Sequence, residues 1–149
     1  MAHTQQPIIS PPGGGDELIL AGNQVFHRAK SGETDGVFSV VELVSKPGTG
    51  VSVHVHDNED ELVYVVEGEI EVTLGDQSMK ATKGVMALLP RGIPHGYTNV
   101  GDTPSRVLDV ILPGKFDNYF VKMHNLYLED DGDSEKADEL AREYGIRYL

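Results

Sequence analysis

From about residue 16 to residue 112 the chain is a succession of short β-type runs separated by Gly, Pro, Asn and Asp, and this punctuation constrains its fold more than any other feature. The clearest runs are 38–44, 51–56, 62–66, 70–74, 85–89, 95–99 and 105–112, with weaker candidates at 17–20, 24–28 and 78–81. Many short strands at regular spacing, with turn residues between them, predict an all-β sandwich or barrel. Glu67-Gly68 and Gly75-Asp76 read as hairpin turns, where glycine adopts positive φ at little cost. There is no internal repeat, so the pattern describes one barrel rather than two.

The flanks read differently. Residues 1–15, with Pro7, Pro11, Pro12 and Gly13 to Gly15, are expected to be a flexible N-terminal arm, and residues 16–115 the barrel. In the extension 116–149, Ala137, Leu140, Ala141 and Tyr144 recur at helical spacing. Asp133 or Ser134 is available as a cap, and Gly145 stands where a helix would stop. One C-terminal helix over about 134–144 is predicted, packed on the outside of the barrel. The acidic run 128–139 reads as a solvated linker entering it.

At 149 residues the chain is long enough for one domain with a real core. Twenty-four acidic residues against twelve Lys and Arg give a net charge of −12. Such a surface repels nucleic acid and anionic lipid, so neither is an expected partner. No run approaches the ~20 apolar residues of a membrane helix. The N-terminal residues have neither the basic start nor the apolar segment of a secretory signal. The absence of cysteine excludes disulfides and thiolate ligands, and with these features a cytoplasmic protein is expected.

The chemistry concentrates in "GTGVSVHVHDNEDELVYVVEG", residues 48–68. Alternate residues of a strand share a face, so His54 and His56 point one way and Val53 and Val55 the other. Residues 57–60, Asp-Asn-Glu-Asp, suit a hairpin connection, and Glu61 opens the partner strand on the histidine face. The segment 84–99 brings in another histidine. Pro90 ends a strand, Gly92 permits a tight turn, and His95 begins the next strand with Tyr97 and Asn99 in phase. Three neutral imidazoles and a carboxylate suit a borderline divalent metal. His3, His27 and His124 have no neighbour at ligand spacing.

These two segments resemble the cupins. The first cupin motif is G, five residues, H-x-H, four residues, E, six residues, G, matched by Gly48, His54, His56, Glu61 and Gly68. The second is G, five residues, P-x-G, two residues, H, three residues, N, matched by Gly84, Pro90, Gly92, His95 and Asn99. The resemblance implies a jelly-roll-like double-stranded β-helix barrel holding one divalent transition metal per chain. Ni, Fe, Mn or Co suits an octahedral site with two open positions, while Zn or Cu is also compatible with the donors. A zinc ion closed by all four ligands would be structural only.

Residues 89–120 and the tail "LAREYGIRYL" are similar to the small quercetin 2,3-dioxygenase-like cupins. That similarity implies a dioxygenase acting on a flavonol-like or other enolisable aromatic molecule, with dioxygen as co-substrate. Glu61 would then be both ligand and acceptor of the substrate's proton. The alternatives are a non-oxidative isomerase, cyclase or decarboxylase using the metal as Lewis acid, and a non-catalytic small-ligand binder. Strand phase places Ser52, Val63, Val65 and Tyr97 on the metal side, with Met86 or Leu88 as a further candidate. The face is apolar and without a cation, which fits an aromatic better than a small dianion. On strand 105–112, either Arg106 or Asp109 faces the pocket, and periodicity leaves both open. A homodimer, the commonest soluble oligomer, is expected.

Overall fold

In the computed structural model, which describes residues 6–149, the chain folds into two antiparallel sheets facing each other. One has six strands in the order β1 (Asp16–Leu20), β2 (Asn23–Ala29), β3 (Ser39–Ser45), β10 (Ser105–Leu112), β5 (Asp60–Glu67) and β8 (Met86–Leu89). The other has five: β11 (Ile146–Tyr148), β4 (Gly50–His56), β9 (His95–Asn99), β6 (Glu69–Leu74) and β7 (Gln77–Thr82). The ten β-type runs of the sequence each become one strand, with ends moved by at most two residues. Hydrogen-bonded neighbours are mostly distant in sequence, and the sheets do not close into a continuous barrel.

The interior divides into two apolar clusters. Val65, Ile70, Ala81 and Val107 fill the end towards β7. Leu18, Val25, Val41, Leu43 and Ile111 form the other, together with Phe116, Tyr119, Ala141 and Ile146 from the C-terminal region. Asn99 ties the loops at the first end: its amide donates to the Ser45 and Thr103 carbonyls at 2.9 and 2.8 Å, and its oxygen accepts from Gly101 N–H. Gly68 turns the β5–β6 hairpin at φ +91°, where a Cβ would meet Ser105 Cα at 2.8 Å.

The C-terminal region contains more than the single helix of the sequence reading. Helix α2 (Ser134–Glu143) lies where expected, with the Asp133 carboxylate accepting from Lys136 N–H at 3.0 Å as its cap. Before it comes another helix, α1 (Asp117–Asp130), and after it β11 pairs with β4. The signal for α1 was present in Phe116, Tyr119, Phe120 and Met123, spaced three to four apart. The acidic residues at its end masked it. Much of the stretch read as a solvated linker is therefore helical.

Asp117 anchors α1. Its carboxylate accepts from Ser31 N–H at 2.7 Å and Ser31 Oγ at 2.8 Å, and lies 2.8 Å from His27 Nε2. His27 is thus a buried partner of a helix terminus, and His124 Nδ1 accepts from Ile19 N–H. His3 lies outside the described residues. Of the expected arm, residues 1–5 also lie outside them. Ser10 and Gly13 are held to the body by Arg28 and by the Glu42 carboxylate.

Candidate metal centre

The site is built where β4, β9 and β5 converge between the sheets. β4 and β9 pair Val51 with Tyr97 and then His54 with His95, so three steps on β4 match two on β9. This is a β-bulge, and it changes which residues face inward. Gly96 permits the close approach: a Cβ there would lie 2.7 Å from the Val51 carbonyl oxygen. Beyond the bulge, His54 and His56 point between the sheets. Before it, Val51 does so instead of Ser52. Ser52 is exposed and absent from the inner wall, which corrects the strand-phase expectation.

Two of the imidazoles are oriented by hydrogen bonds at their Nδ1 edges. His54 Nδ1–H donates to the Ser52 carbonyl at 2.8 Å, and His95 Nδ1–H to the Ile93 carbonyl at 3.1 Å. His56 Nδ1 lies 3.4 Å from Glu59 Oε2. These contacts leave the Nε2 edges free to act as donors to a metal, the usual role of outer contacts to ligating histidines. Glu61 reaches in from β5, with its oxygens 3.3 Å from His56 Nε2 and 2.7 Å from His95 Nε2. All four residues are buried, and one ligand atom from each lies within 4.8 Å of the others.

The charges within this cluster oppose one another. Burial, then the neighbouring His95, lowers the His54 pKa to about 4. Burial alone would lower that of His56 as well, but the Glu59 and Glu61 carboxylates outweigh it and hold His56 up to about 9. Glu61 is kept well below the usual carboxylate range: burial would raise it, and His56 and His95 prevail. Asp109 is pushed well above that range by burial and by the charge of Glu61. Burial and the neighbouring charges therefore shift the two carboxyl groups of the site in opposite directions.

The residues fit a divalent transition metal. Three imidazole nitrogens and a carboxylate oxygen are an accepted donor set, and their mutual separations are compatible with bonds of about 2.0–2.2 Å to a central ion. His95 Nε2 is close to Glu61 yet makes no aligned hydrogen bond, so a buried nitrogen is left for another partner. The donors face a cavity of about 100 Å³ with almost wholly apolar walls. Val63, Val65 and Tyr97 are among the residues that line it.

On β8 the lining residues are Ala87 and Leu89, while Met86 and Leu88 are 57% and 59% exposed. On β10 it is Asp109 that faces in, with Oδ1 buried and unpartnered, whereas Arg106 pairs with Glu42. Phe116, Tyr119, Phe120 and Tyr148 complete the wall from the C-terminal region, and strand periodicity within 16–112 had no means of finding them. Phe116 packs edge-on against His56 at 4.5 Å between ring centroids.

Comparison with known proteins agrees with this arrangement. Residues 41–111 match the cupin domain family. Polyketide synthase CurC of Streptomyces cyaneus is 34% identical over 84 residues, covering 55% of this chain and 52% of that protein. Quercetin 2,3-dioxygenase of Bacillus subtilis is 28% identical over 123 residues, covering 81% of this chain and 36% of that protein. The chain thus spans about half or less of the length of these curated relatives. The solved structure of an RmlC-like cupin from Shewanella frigidimarina shares the fold, with a TM-score of 0.64 at 21% identity over 78% of this chain and 99% of that one.

Proposed function

The chain carries a cupin domain, and from that premise we propose that it is a metal-dependent dioxygenase acting on a flavonol-like or other enolisable, hydroxylated aromatic molecule. The observation that carries this reading is the set of three imidazole Nε2 edges and one ionised carboxylate at the wall of an apolar cavity. His54, His56, Glu61 and His95 would hold the metal, which would supply Lewis acidity to a bound substrate hydroxyl.

The protein's own groups do the rest. Glu61, buried at the cavity wall 2.7 Å from His95 Nε2, would accept the hydroxyl proton at a carboxylate oxygen. Asp109, biased towards its neutral form by burial and by the charge of Glu61, would offer a hydrogen bond towards Glu61 or a substrate oxygen. Val63, Val65, Val72 and Val107 exclude water and favour an aromatic face over a small dianion. The similarity to a quercetin 2,3-dioxygenase over most of the chain supports the oxidative form of this chemistry.

A second, non-oxidative reading is favoured by one specific observation, the similarity to a polyketide synthase protein. In it the same metal and the same Glu61 promote cyclisation of an enolisable polyketide without dioxygen. Protein prepared anaerobically, assayed for metal, and then given flavonols in sealed vessels separates the two. Stoichiometric oxygen uptake on admission of air is the expected result. Product formation with no oxygen consumed would replace the first reading with the second.

A further inference from the structure

A larger cavity lies beside the one that the metal ligands face. The inner cavity, at about 100 Å³, is smaller than the ~150 Å³ that admits a single benzene ring in a protein core. The outer one, at about 540 Å³, falls within the ~300–1,000 Å³ of sites for multi-ring ligands. They share Leu43, Val51, Tyr119, Phe120 and Tyr148 as walls. The outer cavity lies between the start of β4 and the two C-terminal helices, with Ala137 and Ala141 of α2 above and Ser52 below. Asn23, Ser134 and Asp138 give it polar groups that the inner cavity lacks at that side.

Tyr148 stands at the boundary. It pairs with His54 across β11 and β4, its ring centroid lies 5.7 Å from that of His54, and its hydroxyl is 3.1 Å from the Tyr119 hydroxyl. Of the shared wall residues it is the one classed as exposed, at 51%, while Leu43 and Tyr119 are fixed in the core. Rotation of the Tyr148 side chain would break one side-chain hydrogen bond, that to the Tyr119 hydroxyl.

We propose that the outer cavity binds the distal rings of a multi-ring hydroxylated aromatic whose hydroxyl-bearing edge reaches the metal ligands through the inner cavity, and that Tyr148 is the partition this molecule displaces. The inference rests on the metal-dependent reading above and adds to it a substrate size, a route and a second binding surface. The outer cavity shares five wall residues with the inner one, so the distal rings of a larger molecule can extend into it. The polar rim meets the hydroxyls of the distal rings, and the aromatic partition meets their faces.

The test uses zinc-loaded protein, which cannot turn over oxidatively, with quercetin as the multi-ring probe and catechol as the single-ring probe. Ala137→Phe and Ser52→Phe each narrow the outer cavity, and Ser52 is exposed, so at least that variant should fold. Both are expected to retain one zinc per chain and catechol affinity within twofold, and to bind quercetin at least tenfold more weakly. Tyr148→Ala should speed quercetin association at least tenfold and leave that of catechol within threefold. Quercetin binding that is unchanged in all three variants, with catechol still bound, would overturn the outer site and leave the metal-dependent reading standing. If zinc is held and neither aromatic binds wild-type protein, the substrate reading fails and the outer site falls with it.

Discussion

A proton and a metal compete for the same edge of His56. In metal-stripped protein the Glu59 and Glu61 carboxylates hold the His56 pKa at about 9, above its ordinary 6.5. That pair therefore contributes stability that is complete below pH 6.5 and is lost as pH rises through 9. His54 has the opposite sign: its pKa of about 4 means that the unfolded chain takes up a proton first, so stability falls as pH drops from 6.5 towards 4. The two histidines between them favour a pH near 6.5, with up to about 3 kcal/mol lost on either side at ~1.4 kcal/mol per pKa unit, and the raised Asp109 carboxyl adds to the loss as pH rises. Urea unfolding at pH 5, 6.5 and 9 measures this. Metal-loaded protein should lack the His56 share of the alkaline decline, because metal binding has already expelled the His56 proton. A flat profile in stripped protein would show that the pair does not form. His54→Ala or His95→Ala should each abolish stoichiometric metal by elemental analysis. Glu61→Gln should keep most of it while turnover falls by ~10²–10⁴-fold, as expected on loss of a general base. The cluster of His54, His56, Glu61 and His95 was legible because a histidine pair at strand spacing and a carboxylate five residues on have few other uses. Ser52 was misplaced because "VSVHVH" alternates without a break, and the bulge that shifts its phase is set by Gly96 on the neighbouring strand. Asp109 was ambiguous because both faces of "SRVLDVIL" alternate equally. The pairing of Arg106 with Glu42, a contact across strands, settles it.

The strands were legible for the same reason that they are short. Turn residues bound each one, and its inward valines and leucines fit a half-buried pleat. Helix α1 was harder to see, since Tyr119, Phe120 and Val121 are poor helix formers that tertiary packing holds in place. Its first residue accounts for much of that holding. Asp117 is buried, and its pKa is lowered: burial would raise it, but His27 and Ser31 outweigh burial. Asp117→Ala leaves the Ser31 N–H and the His27 ring without their acceptor, and His27 Nδ1 already lacks a partner. The expected loss is about 2–4 kcal/mol, the range for stranding buried polar partners. A depressed carboxylate stabilises above its unfolded pKa near 3.8 and ceases to do so as pH falls through its folded value. The substitution should therefore flatten the acid limb of the stability curve as well as lower its plateau. A change below 1 kcal/mol in urea unfolding at pH 7 would mean that α1 is held by Phe116 and Tyr119 alone. Strand β11 escaped the sequence reading because three residues are too few to display a period.

Met86 or Leu88 was a candidate for the metal side, and the outward orientation of both has a consequence for the whole molecule. β8 is an edge strand of the six-stranded sheet, and its residues pair Leu88 with Leu62 and Met86 with Tyr64. Those four side chains are 59%, 37%, 57% and 42% exposed, and the patch continues across β10 through Leu108 and Val110. An apolar face beside an open strand edge is a natural isologous contact, and we expect a homodimer built on it. The opposing force is charge, since two chains of −12 repel at long range. Salt should therefore tighten the dimer, because the screening length falls from about 10 Å at 0.1 M to about 3 Å at 1 M while the apolar contact is unaffected. In a two-fold interface every substitution enters twice. Leu88→Glu then buries two like charges in the patch, and should raise the dissociation constant at least 100-fold while leaving metal content unchanged, since Leu88 does not line the cavity. Analytical ultracentrifugation of both proteins at 0.1 and 1 M salt provides the measurement. A wild-type monomer at micromolar concentration in high salt would rule out the dimer. A dimer that Leu88→Glu does not weaken would move the interface to another face.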